Sequence, residues 1–172
     1  MTQADRNIAK SKIAMIEDKP LKKIEHVRGD INVLFEEGKE VYALQFICSM
    51  RFYKGDEYVF ASHDMYQAID SIFNYDDFIH DDFAWYEKGV NKLDEAIDRH
   101  FAKDNFGEYV IQEVLVKQFG DLEIRFTNGY VMEVFCDASG HSENWRFGIL
   151  GAEKPLVVVA GIGLDHEMMD RG

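Results

Sequence analysis

The chain has 172 residues, 47% of them hydrophobic and 13% aromatic, and a formal net charge of −13. That length suits a single domain over 1–172, and the apolar content suits a packed core, which excludes a largely disordered chain. The acidity disfavours nucleic acid and anionic membrane surfaces as partners; it suits either solubility alone or a basic protein partner.

Residues 1–19 are polar, with scattered apolar positions at Ile8, Ile13, Met15 and Ile16. This segment reads as a helix or a mobile arm, ended by Pro20. It has no apolar signal region, and no run approaches the ~18 apolar residues of a membrane span, so a cytoplasmic protein is expected. From Leu21 the period becomes two: LKKIEHV and INVLFEEGKEVYALQF read as strands turning at Glu37-Gly38. RFYKGDEYVFAS follows as a second hairpin, turning near Lys54-Gly55-Asp56.

The middle of the chain changes character. Tyr86, Val90, Leu93, Ile97 and Phe101 recur at helical spacing, which predicts an amphipathic helix over about 81–102. Asp81 and Asp82 would cap its start, with Arg99, His100 and Lys103 near its end. YVIQEVLVKQF, DLEIRF, YVMEVF, NWRFGIL and PLVVVAGI then read as five strands. Asn128-Gly129 is a strong hairpin signal. With a two-residue turn there, Phe126 faces Val131, Leu122 faces Phe135, and Glu133 interrupts a core stripe opposite Ile124.

The hairpins echo each other. INVLFEEGKEVYALQF can be laid on LEIRFTNGYVMEVFCD at a constant offset of 91, matching Phe35 to Phe126, Gly38 to Gly129 and Leu44 to Phe135. Each is followed by an Arg-Phe pair, Arg51-Phe52 and Arg146-Phe147, and by an apolar strand ending in Ala61-Ser62 or Ala160-Gly161. Two readings stay open, a duplicated unit and the chance likeness of alternating strands. The fold class expected is α+β: antiparallel β-hairpin units, duplicated over about 21–66 and 109–164 on the first reading, with one central helix. Under duplication, repeated features are framework and unrepeated polar ones are candidates for function.

No motif spells out a reaction. Ser62-His63-Asp64 has the residue types of a hydrolytic triad, but neighbours in sequence diverge and no GxSxG accompanies them, so a strand-end turn is expected. The six histidines form no HxH, HExxH or HxxxH pattern, and no metal or cofactor is expected. His80-Asp81-Asp82, with Asp76 and Asp77 nearby, reads as caps rather than metal ligands. Cys48 and Cys136 stand far apart in apolar runs and read as buried free thiols. His141, Glu133 and Glu143 are the residues a small-ligand or enzymatic site near the second hairpin would use.

The unrepeated feature is NYDDFIHDDFAWYEKG, residues 74–89. Between 74 and 108 ten acidic side chains stand against four basic ones. Two readings stay open, a solvated loop whose rings face inward and an interface to a basic protein, with Asp76, Asp77, Asp81, Asp82 and Trp85 as partner-binding residues on the second.

LEIRFTNGYVMEVFCDASGHSENWRFGIL, Leu122 to Leu150, resembles the closing strands of small acidic bacterial proteins of unknown function, many grouped with the immunity proteins of contact-dependent or polymorphic toxin systems. The resemblance implies a non-enzymatic protein that binds one toxin, often a nuclease with a basic surface; it carries over no functional residue. The function expected is therefore an immunity-type inhibitor of a basic toxin. The alternative is a small-ligand module or an enzyme at the second hairpin.

Overall fold

A computed structural model describes residues 1–27, 29–69, 87–101 and 105–170. Helix α1 (Gln3–Ile13) begins at a reciprocal cap: Thr2 Oγ1 accepts the Asp5 N–H and the Asp5 carboxylate accepts the Thr2 N–H, both at 3.1 Å. Those bonds hold the Asp5 carboxyl below its usual pKa. The helix and the short 3-10 turn after it bury Ala9, Ile13 and Ile16. Within the 1–19 segment, Gln3–Ile16 is thus helical and docked into the core through those side chains.

Five strands follow, β1 (Leu21–Val27), β2 (Asp30–Glu37), β3 (Glu40–Phe46), β4 (Ser49–Lys54) and β5 (Glu57–Ala61). Helix α2 (Lys92–His100) precedes β6 (Ile111–Val116), β7 (Leu122–Phe126), β8 (Tyr130–Phe135), β9 (Glu143–Ile149), β10 (Val157–Ala160), β11 (Gly163–Leu164) and α3 (His166–Asp170). Among the described residues the strands form two antiparallel sheets, ordered β1-β2-β3-β9-β10-β11 and β6-β7-β8-β4-β5. The fold is α+β, as expected. Inward side chains of both sheets join one buried cluster, in which Phe35, Phe46, Phe52, Phe60, Phe126, Trp145 and Phe147 are almost fully enclosed. Each such ring is worth about 1.5–3 kcal/mol in removed apolar surface. No helix among the described residues is long and apolar enough to cross a membrane.

The strand order reveals the duplication. In each half a three-stranded meander (β1-β2-β3 or β6-β7-β8) stays in one sheet, and the next two strands (β4-β5 or β9-β10) cross into the other. The first strand of each half carries a bulge at the same place, between Leu21 and Lys23 opposite Phe35 and Leu34, and between Ile111 and Glu113 opposite Phe126 and Arg125. The halves meet at a Pro20–Val110 bridge, where the Leu21 N–H donates to Tyr109 O (2.9 Å) and the Ile111 N–H donates to Lys19 O (3.0 Å). This reciprocal pair marks a pseudo-two-fold axis. Both halves also have a helix: α1 packs on β6 and β10, and α2 on the equivalent β1 and β5. The single central helix expected from periodicity is one of a related pair.

Three details differ from the sequence reading. The helix does not run from Asp81; residues 87–91 form a turn in which Gly89 has φ +84°, and the Asn91 side chain caps α2 by accepting the Asp94 N–H (2.9 Å). Asp81 and Asp82 lie outside the described residues, as does Lys103. The β7–β8 hairpin closes with three loop residues, Thr127 to Gly129; the Gly129 N–H donates to Phe126 O (2.9 Å), and Gly129 has φ +86°. Leu122 therefore pairs with Val134 and Ile124 with Met132, which moves Glu133 to the outer face opposite Glu123. The constant offset of 91 also fails. It holds from Val33 to Ile124, but Leu44, opposite Val33, corresponds to Met132, opposite Ile124, an offset of 88. The first hairpin is three residues longer at its tip. The Arg-Phe match survives: Phe147 pairs with Leu44 as Phe52 pairs with Met132.

Around Phe52 the core holds a titratable group. His100 packs edge-on against Phe52 and Phe101, and its Nε2 lies 2.7 Å from Tyr109 Oη. Burial holds the His100 pKa below its ordinary 6.5 and pushes the Tyr109 phenol up to about 12. The folded state thus favours neutral His100, while the unfolded chain protonates it at higher pH. Stability from this group is present above about pH 6.5 and falls as pH drops toward the depressed folded value. Thermal melts between pH 7.5 and 5.5 are expected to show a decline in Tm that His100→Gln reduces. An identical decline in the variant would remove His100 as its source.

Candidate functional site

The five partner-binding residues read from the sequence, Asp76, Asp77, Asp81, Asp82 and Trp85, lie outside the described residues. What the structure resolves is how the remaining polar groups are arranged, and the pseudo-two-fold lets the two outer sheet faces be compared position by position.

On the five-stranded sheet the outer face is an alternating ladder of charge. Arg51 pairs with Glu133 (Nε to Oε2, 2.6 Å), Glu133 with Lys117 (3.3 Å) and Lys117 with Glu123 (2.7 Å). Glu123 then pairs with Arg125, which reaches Glu113 (3.1 Å). The Arg51 guanidinium also lies over the Phe135 ring, 4.8 Å from its centroid. Glu123 and Glu133 sit directly opposite each other, and Lys117 between them relieves their repulsion. Its ammonium pKa rises and the Glu123 carboxyl pKa falls through their mutual contact. The cations of the ladder keep their ends largely in solvent, so its main consequence is a face without net charge rather than stability.

The six-stranded sheet differs at the equivalent places. Glu25, Asn32, Gln45 and Arg146 stand directly opposite one another across β1, β2, β3 and β9. Gln45 and Asn32 occupy the positions of Glu133 and Glu123, while Arg146 matches Arg51. Amides thus replace both carboxylates. Arg146 turns to its own strand and binds both oxygens of Glu143 at 2.5 Å, which raises its pKa further. Gln45 Nε2 donates to Asp30 (2.6 Å). Beside this row Ala43 and Gly148 form a low floor, overhung by the loop 150–155, and the resulting cleft measures about 340 Å³. A Cβ on Gly148 would stand 3.1 Å from Pro155 Cα, so the overhang depends on that glycine. The cleft offers a carboxylate, two amides and a guanidinium in line. That pattern suits hydrogen bonding to a polar chain.

The other candidates resolve plainly. Glu133 lies on one sheet and Glu143 on the other, each held by its own arginine, and His141 is exposed in the β8–β9 connection. The trio lines no common cavity, because β8 and β9 belong to different sheets. Ser62-His63-Asp64 is the expected strand-end turn: Ser62 Oγ accepts the Met50 N–H (3.0 Å) and Asp64 accepts the Ala61 N–H (2.9 Å). Among the described residues no group of three His, Cys, Asp or Glu side chains could hold a metal ion.

Sequence reasoning missed one buried polar knot. His26 Nε2 accepts the Gly29 N–H (3.1 Å), and its Nδ1 faces the Asp94 carboxylate at 3.7 Å. Asp94 also accepts the Gly89 N–H (2.7 Å). His26, Asn91 and Asp94 are all buried, and together they tie the start of α2, directly after the acidic stretch in the chain, to the β1–β2 turn. No local pattern marks it, since His26 and Asn91 stand 65 residues apart, one in each half of the chain. No family model, curated protein or solved structure matches the chain.

Proposed function

We propose that this chain is a non-enzymatic binding protein of the immunity type, which neutralises a basic toxin in the cytoplasm by occluding it. The observation that carries the reading is the net charge of −13, densest between residues 74 and 108. The outer face of the five-stranded sheet supports it, because its carboxylates are matched by its own cations and contribute little to the excess. Asp76, Asp77, Asp81 and Asp82 would steer a basic surface, and Trp85 would anchor it.

Converting the four aspartates to asparagine is expected to slow association about tenfold at low salt and to flatten its dependence on ionic strength. Trp85→Ala is expected to act on dissociation instead. Stopped-flow binding of the toxin measures both; an unchanged rate and salt slope in the aspartate variant would sink the assignment. A second reading, a small-ligand module, is favoured by the cleft over Asn32 and Gln45 rather than by His141, Glu133 and Glu143.

A further inference from the structure

Cys48 lies in the β3–β4 crossover and Cys136 directly after β8, in the β8–β9 crossover. At the offset of 88 that relates β3 to β8 the two cysteines are equivalent, so the pseudo-axis sets like against like. The β4–β8 ladder ends at Ser49 opposite Phe135, and one step further along an antiparallel ladder faces Cys48 with Cys136. Their amides point elsewhere: the Cys48 N–H donates to Asn144 O (3.2 Å) and the Cys136 N–H to Asp121 Oδ1 (2.7 Å). A non-hydrogen-bonded antiparallel pair continuing the ladder at that place would set its Cα atoms about 4.5 Å apart, inside the disulfide range of about 4.4–6.8 Å. The two thiols are free, and Cys136 stands close enough to bear on the ionisation of Cys48. Cys48 is buried, whereas Cys136 is half-buried.

We propose that Cys48 and Cys136 are a reversible dithiol–disulfide couple that staples the two crossovers of the fold, with a low-molecular-weight disulfide such as oxidised glutathione as its oxidant. The Cys136 thiolate attacks one sulfur of that disulfide; the S–S bond breaks, and one glutathione leaves as a thiolate and takes up a proton. Cys48 then gives its proton to solvent and attacks the Cys136 sulfur, displacing the second glutathione, which is protonated in turn. Two protein thiols lose two electrons and two protons, and one external disulfide gains them. The order follows from the surroundings. The adjacent Cys136 thiol, burial and the nearby Asp137 carboxylate all push the Cys48 pKa up, so the more accessible Cys136 acts first. In a reducing compartment the couple rests as thiols and closes when the glutathione pool is oxidised. It stands independently of the binding reading.

The test equilibrates the full chain with graded ratios of reduced to oxidised glutathione. Intact mass is expected to show the loss of two hydrogens without a lasting adduct, and non-reducing peptide mapping to join the peptides of Cys48 and Cys136. The closed loop is long, so Tm is expected to rise by about 10 °C and to return on reduction. Cys48→Ser is expected to trap a glutathione adduct on Cys136, and Cys136→Ser to stay largely unmodified while folded. Stable adducts on both cysteines of the wild-type chain, a cross-link between molecules, or a disulfide that lowers Tm would overturn the proposal.

Discussion

Replacing Trp145 by alanine is expected to cost about 3–5 kcal/mol, the range for emptying a large aromatic site in a close-packed core. Its side chain is wholly enclosed, opposite Phe46 on β3 and Val159 on β10, so little around it can collapse into the space. The indole also has a polar duty: Nε1–H donates to Gly120 O at 2.8 Å. The site around Gly120 is already tight, since a Cβ there would stand 2.8 Å from a Val159 methyl. Trp145→Phe keeps most of the apolar contact and orphans that carbonyl, so a smaller loss of about 1–3 kcal/mol is expected. Urea unfolding of the variants measures the difference. Equal stability in Phe and wild type would mean that the hydrogen bond contributes nothing.

The second large effect concerns the exchange of strands. Neither half of the chain contains a complete sheet; each sheet takes three strands from one half and at least two from the other. Expressed alone, residues 1–87 or 88–172 would expose the open edges of β3 or β8 and the apolar faces of unmatched strands. Neither fragment is expected to give a folded monomer, whereas the two expressed together are expected to co-purify one to one and to unfold cooperatively. A single half that melts cooperatively as a monomer would contradict the exchange.

Much of this architecture was written locally. The ten longer strands follow from alternating runs and, at β10, a short continuous apolar run, and the buried stripe Leu93, Ile97 and Phe101 from helical spacing. The Arg-Phe echo pointed to the duplication and to its framework role: Phe52 and Phe147 are fully buried, and each arginine faces outward to a carboxylate. What local signals do not carry is register. Asn-Gly serves the last two places of a three-residue loop as well as a two-residue turn, and the choice decides which face Glu133 takes. Sheet membership was equally hidden, since alternation shows that a strand has two faces but not which strand it joins. The cysteine pair had a signal that a constant offset concealed. A three-residue gap at the first hairpin tip would have laid Cys48 on Cys136. The amides in the cleft became visible only when set against their charged equivalents on the other sheet.

The measurement closest to the central claim is capture on the immobilised full chain from the source cell, eluted with a salt gradient, followed by an assay of the captured protein with and without the chain. The expected result is a single basic protein leaving at moderate salt, lost when Asp76, Asp77, Asp81 and Asp82 are asparagine, and toxic or nucleolytic only when the chain is absent. A basic protein that keeps its activity in the complex, or capture unaffected by salt and by the four substitutions, would contradict a role in neutralisation through the acidic segment.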